Sequence, residues 1–293
     1  MSRDHYIPQF ILRGFAIDDS LPKDKQVICV LNSKTKTVEN KLICNSFMQI
    51  DYNSKETEQF LAQEIEYKIG NIFNRIKTVA LQNQKCIELK EYEYKALFRF
   101  FVIMWRRNAI QVNKMKEVID LADLILNTSN LKNTKDRNIP LSRWFEENQD
   151  SFRKTFFDYV IPKTTNTDET VLKTILNYKP CIIKNETDLH FTLHNTYSTL
   201  NYFVKQNTDI TENDAPVFMI YPISKTLCFF LLRNQTQTDL NQKTYTIPFE
   251  SWDKESIKSF LINGYVLTTA DYYVVDETNY VAVLDALKAI GNV

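Results

Sequence analysis

PVFMIYPISKTLCFFLLRN, residues 216–234, is two nearly continuous apolar runs separated by the polar step Ser224-Lys225-Thr226, and its reading decides the fold class. An amphipathic helix would space its apolar residues three and four apart. Short runs rich in aromatic and aliphatic residues, bounded by polar or proline-marked turns, read as strands of a buried sheet. The pattern extends to either side: CIIK (181–184), LHFTLHNT (189–196), NYFVKQ (201–206) and YTIPF (245–249) read as strands, and YYVVD (272–276) as an extended piece. Only four glycines serve the whole chain, so its turns rely on Asn, Asp, Pro and Ser. Neither G-x-G-x-x-G nor G-x-x-x-x-G-K-[ST] occurs, which excludes a glycine-rich phosphate loop.

Upstream of residue 181 the period changes from two to three and four. Phe60, Leu61, Ile65, Ile69, Ile72, Phe73 and Ile76 define a long helix from Ser54 to about Asn83, with Ser54 as its cap and Glu56 and Glu58 in its first turn. Leu97, Phe100, Phe101, Met104, Val112 and Met115 begin a second, from about Glu91 to Leu126, that should pack antiparallel to the first. A loop at 127–138 leads to a third helix from Pro140 to near Pro162, and VLKTILNY forms a short one. Before these, QVICVLN (26–32) and TVENKLIC (37–44) flank the turn SKTK and read as a hairpin. Helices near Lys254–Ile262 and Asn279–Ile290 close the chain. The expectation is one integrated α+β domain over residues 1–293, helix-rich at 1–178 with a small β-hairpin and sheet-rich at 179–293, the sheet mainly antiparallel and flanked by helices.

Composition limits the partners. Thirty-six basic and thirty-six acidic residues cancel, so no global field draws the protein to nucleic acid or an anionic membrane, and a polyanion would need a local patch. The run FFVIMW (100–105) is far short of the ~20 residues of a membrane span. No basic region followed by an apolar one opens the chain, and the five cysteines are scattered without C-x-x-C spacing. Both features point to a cytoplasmic protein with reduced thiols. The Lys, Asn and Ile bias fits an AT-rich bacterial genome.

The chemistry concentrates at RDHYIPQFILRGF, residues 3–15. Pro8 suits the first helical position, which would lay His5, Gln9 and Arg13, four residues apart, along one helix stripe. One reading makes the stripe a site: imidazole for proton transfer, amide for orientation, guanidinium for phosphate or carboxylate. The other makes it a buried polar network in which Arg13 answers Glu66 or Asp214. Glu58 and Glu66 lie eight apart on the first long helix and with Asp214 would suit magnesium, but a solvated face paired with lysines is the more frequent use of such glutamates. Asp214, before Ala-Pro, is placed for a metal, a base or a turn cap. Of Arg106 and Arg107, one should point inward, where it needs an anionic partner, and the other to water. His190 and His194 each open an H-x-T triplet, but on a strand they would stand about 13 Å apart, unlike the separated pair of two-histidine phosphoesterases. Glu88-Leu89-Lys90 reads as a helix start.

Three motifs resemble the bacterial family known as domain of unknown function 4238. HYIPQFILRGF carries its opening pattern at His5, Tyr6, Pro8, Gln9, Phe10, Leu12, Arg13 and Phe15; ETEQFLAQEIE carries its glutamates at Glu58 and Glu66, followed by its arginine at Arg106; and ENDAPV with PIS carries Asp214, Pro216 and Val217, while Asn213 and Ala215 depart from the pattern. Asn263 and Ala270 look like the family's tail. No reaction is assigned to the family; the occurrence of some members among antiviral defence genes implies a phage-defence role. The resulting expectation is an effector acting on phosphodiester bonds, nuclease-like. His5 would act as acid and base, Gln9 and Arg13 as positioning groups, and Asp214 as a supporting carboxylate, with Tyr6, Glu66 and Arg106 in binding and magnesium as the candidate cofactor. The competing expectation is a sensor or interaction module that recognises a nucleotide, nucleic acid or phage-derived trigger through the same residues.

Overall fold

The computed structural model describes residues 3–107, 149–195, 197, 199–201, 218–233, 238–260 and 270–289. The run at 216–234 forms, within the described residues, strands β9 (Phe218–Pro222) and β10 (Leu227–Arg233), paired antiparallel with Phe229 opposite Tyr221. β10 also pairs antiparallel with β6 (Tyr178–Asn185), and β11 (Thr244–Trp252) joins β6 in parallel. With β5 (Cys86–Lys90) and β8 (Thr199–Asn201), these make a six-stranded sheet of order β5-β11-β6-β10-β9-β8.

A second sheet contains the predicted hairpin, β2 (Val27–Asn32) and β3 (Val38–Leu42), whose turn Asn32 shapes by accepting from the backbone N–H of Lys34 and Thr35. The C-terminal strand β12 (Tyr272–Val275) pairs with β2, and the short β7 (Leu193–His194) lies beyond it. Among the described residues of LHFTLHNT, only those two are strand. The E-x-K triplet is corrected in the same way. Ile87 and Leu89 are buried while Glu88 and Lys90 are exposed, and this alternation sets Cys86–Lys90 as an edge strand paired with β11.

The long N-terminal helix is capped by Ser54 as expected and runs through α2 (Lys55–Phe60), a π-helical segment at Leu61–Glu66 and α3 (Tyr67–Leu81). α4 (Glu91–Arg106) follows β5, and Arg75 of α3 grips Glu93 of α4 with two bonds of 2.6 and 2.9 Å. Residues 108–148 lie outside the described residues, as does the rest of the second predicted helix. The third helix is described over Gln149–Lys163 (α5), and Glu169–Asn177 (α6) follows. Lys254–Phe260 (α7) and Tyr280–Ala289 (α8) are the C-terminal helices among the described residues.

The core forms where α3 and α4 lie on the large sheet. Phe101 stacks on Tyr221 at 4.1 Å between ring centres, Phe73 stacks on Phe229, and Phe100 meets Phe73 edge to face. Each such ring contributes about 1.5–3 kcal/mol through burial. Phe10, from the N-terminal motif, packs on Phe73 and Phe100 and thereby fastens that motif to the helix pair.

Candidate functional site

The N-terminal motif is a strand followed by a helix, not one helix. His5 ends β1 (Arg3–His5), which pairs with β4 (Met48–Ile50); Pro8 is the cap of α1 (Gln9–Leu12), and Arg13 begins a 3-10 turn through Phe15. Proline's missing N–H breaks no bond at that cap, while pairing with β4 holds His5 in extended backbone. The expected single helical stripe is therefore corrected, but the three side chains still meet. Ser46 offers a carbonyl at 3.0 Å from His5 Nδ1, so Nδ1 carries the proton and Nε2 accepts from the Gln9 amide at 2.9 Å. Gln9 Oε1 then accepts from Arg13 Nη2 at 2.7 Å. Burial, opposed by the bond to the Ser46 carbonyl and reinforced by the charge on Arg13, leaves His5 with a lowered pKa. The ring is neutral and both its nitrogens are engaged.

Behind His5 lies a buried ionic cluster. Arg107, only 3 % exposed, donates from Nη2 to the His5 carbonyl at 3.0 Å, and its Nε and Nη1 are buried with no hydrogen-bond partner among the described residues. Its charge acts on Glu66 and Glu58. Burial pushes Glu66 up to about 7, opposed by Arg107 and assisted by Glu58. Glu58 is also raised by burial, and accepts a bond of 2.6 Å from Asn53, whose backbone N–H donates to the buried Asp4. A guanidinium thus already answers these carboxylates. No group of three His, Cys, Asp or Glu side chains among the described residues suits a metal, and the third carboxylate of the expected magnesium site, Asp214, is not among them.

In front of Arg13 lies an open cavity of about 560 Å3. Its cationic lining is Arg13, Lys77 of α3, Lys184 of β6 and Lys225 of the β9–β10 turn, against Asp19 and Glu186. Glu186 is already paired with Lys184 at 3.1 Å. Burial lowers the pKa of both Arg13 and Lys77, and Arg13 Nε is buried without a hydrogen-bond partner among the described residues. The wall is held by a close approach: Lys225 N–H donates to the Gly14 carbonyl at 3.0 Å, and a Cβ on Gly14 would stand 2.3 Å from the Ile223 carbonyl oxygen. That contact gives the PIS element a structural role, with Ser224 Oγ accepting from Leu227 N–H inside the turn. His190 lines the same cavity and bonds Asp276 at 2.6 Å.

The remaining expected residues divide. Tyr6 packs against Phe47 and Tyr52, and burial raises its hydroxyl pKa, so it is a neutral packing group. Arg106 is not at the cluster; it pairs with Asp168 at 3.3 Å and donates to Thr164 and Thr170, securing the start of α6, while its neighbour Arg107 turns inward. Asp214 lies outside the described residues. Sequence reasoning missed Arg107's role, Lys77 and the His190–Asp276 pair. Asp276 three residues ahead of Asn279 is a turn-capping pattern that marks the turn, but it does not reveal the partner His190.

No helix among the described residues is long and apolar enough to cross a membrane. The family model described as "Protein of unknown function (DUF4238)" matches residues 3–290. No curated protein and no solved structure matches the chain.

Proposed function

The chain belongs to the protein family of unknown function DUF4238, and from that premise we propose that the cavity at Arg13 binds a phosphorylated ligand and that the protein acts on phosphodiester bonds, as a nuclease-like effector of bacterial antiviral defence. One observation carries the reading. Arg13 is held by Gln9, which is held by His5, and the guanidinium lines a cavity with three lysines. A fixed planar cation beside point charges suits a phosphate, because guanidinium bonds phosphate oxygens in pairs. A chain with no net charge has to recognise an anion locally, and this is a local excess of positive charge. The defence setting rests on the company kept by some family members.

His5 takes a different part from the one the motif suggested. With Nδ1 bound to Ser46 and Nε2 to Gln9, it orients Arg13 and transfers no proton. That observation also favours the second reading, a sensor that binds a nucleotide without cleaving it. Calorimetric titration of the full chain with AMP and with the dinucleotide pApA, alongside cleavage assays on single-stranded oligonucleotides, separates the two. Binding that Arg13→Ala abolishes supports the site, and cleavage lost with it supports the effector. Equal binding by wild type and Arg13→Ala would remove Arg13 from the site and the reading with it.

A further inference from the structure

We infer that His190, oriented by Asp276, is the general base of the Arg13 cavity, and that the cavity hydrolyses a nucleotide-sized phosphodiester; the inference rests on the phosphodiester reading above. The chain has three histidines. His5 has both ring nitrogens bound, and His194 is fully buried, with its pKa pushed down to about 3 by desolvation. His190 differs from both. Its side chain is 27 % exposed, it lines the cavity, and only Nδ1 is bonded among the described residues.

Its partner is fixed in place. Asp276 Oδ1 accepts from the Thr278 N–H at 2.9 Å and the Thr278 hydroxyl at 2.6 Å, which shapes the turn into α8. Oδ2 is left for the His190 ring at 2.6 Å, and the backbone N–H of His190 donates in turn to the Thr278 hydroxyl. Burial works against the charge on Asp276, but bonds from His190 and Thr278 outweigh it and hold the carboxyl well below the usual range. Turn capping accounts for Oδ1 and leaves Oδ2 unexplained. A carboxylate accepting from Nδ1 sets the tautomer in which Nε2 carries the lone pair, as a general base requires.

The cavity also limits the substrate. About 560 Å3 falls within the range of small-ligand sites, ~300–1,000 Å3, and is too small for a duplex. Ile17 and Leu81, 51 % and 85 % exposed, line it beside the cations and offer an apolar surface for a base. In the step, His190 Nε2 takes a proton from water as the water oxygen bonds phosphorus. The P–O bond to the leaving group breaks, and the leaving oxygen takes a proton from the Lys77 ammonium. Arg13 bears the phosphoryl charge. The imidazolium then returns its proton to solvent and Lys77 is reprotonated, so one phosphodiester and one water give a phosphomonoester and an alcohol.

The test uses the full chain with bis(p-nitrophenyl) phosphate and pApA as cleavage probes and AMP as the binding probe. His190→Ala should lose roughly 100-fold or more in cleavage of both, the usual scale for a lost general base, and added imidazole should restore part of it. His190→Gln, which can still bond Asp276 but is not a base, should fold and bind AMP as wild type while failing to cleave. Undiminished cleavage by either variant overturns the inference. Wild type that binds AMP through Arg13 yet cleaves neither probe also overturns it and leaves the binding reading standing. Wild type that does not bind AMP ends both.

Discussion

The Gln9 amide nitrogen lies 2.9 Å from Nε2 of His5, and because the opposite ring nitrogen donates to Ser46, the amide can only be a donor there. The orientation of Gln9 is thereby fixed, and its oxygen is left for Arg13 at 2.7 Å. The tautomer of one buried ring therefore determines the position of a guanidinium two bonds away.

Gln9→Glu tests this chain of bonds. A carboxylate at position 9 has no proton to give Nε2, so His5 must supply one and become imidazolium. Its pKa, lowered by burial in the wild type, should rise above the ordinary value. Side-chain nitrogen chemical shifts of His5 across pH report this directly, and an unchanged titration in the variant would show that Gln9 does not set the ring's state.

Arg106 and Arg107 are adjacent, but their substitution should have unequal effects. Arg107→Ala leaves Glu58 and Glu66 without their opposing charge and the His5 carbonyl without its charged donor, a loss on the order of 1.5–3 kcal/mol for a buried hydrogen bond from a charged group. Arg106→Ala removes a pair with Asp168 that is still about a fifth exposed, and should cost roughly 1 kcal/mol. Urea unfolding of both variants gives the comparison; equal losses would contradict the placement of Arg107 inside the cluster.

The residue types at this site were legible in the sequence, and the identity of the inward arginine was not. Adjacent residues on a helix differ by about 100° in direction, so the apolar run before Arg106-Arg107 fixes one inward position only when the helix end is known. Arg107 lies just past the last turn of α4, where that phase is lost. The fold was easier to read because it rests on periodicity: the apolar runs of β9 and β10 and the three-four spacing in α3 survive in the structure. Pro8 misled for a related reason. Proline is compatible with both a cap and a first helical position, and only the distant pairing of β1 with β4 decides between them. The His190–Asp276 pair spans 86 residues, a separation that no local spacing encodes.

Gly14→Ala should disturb the cavity without touching a charged group. The new methyl would meet the Ile223 carbonyl oxygen at 2.3 Å and the Ser224 Cα at 3.0 Å, both backbone atoms that cannot rotate away. The β9–β10 turn has to retreat, which carries Lys225 out of the wall and weakens its bond to the Gly14 carbonyl. A cost of about 1–3 kcal/mol is expected from overpacking, together with weaker AMP binding, and thermal melting with calorimetry measures both. Wild-type stability would mean that the close approach is not sustained in solution.

Glu66 makes stability depend on pH in an unusual direction for a carboxylate. Its pKa is about 7 in the fold against 4.5 when unperturbed. Below pH 4.5 it is protonated in both states and its favourable contribution is complete. Between 4.5 and about 7 the native state holds more protons than the unfolded chain, so this contribution is lost as pH rises. The full loss is at most about 3 kcal/mol, since each pKa unit corresponds to about 1.4 kcal/mol. Glu66→Gln keeps the shape and removes the titration, so its stability relative to wild type should improve by one to a few kcal/mol, roughly, between pH 4 and pH 8. Denaturant unfolding at those two pH values isolates the effect because every other group is shared. A difference between variant and wild type that stays constant would show that Glu66 is ionised in the fold, and that Arg107 compensates its burial completely.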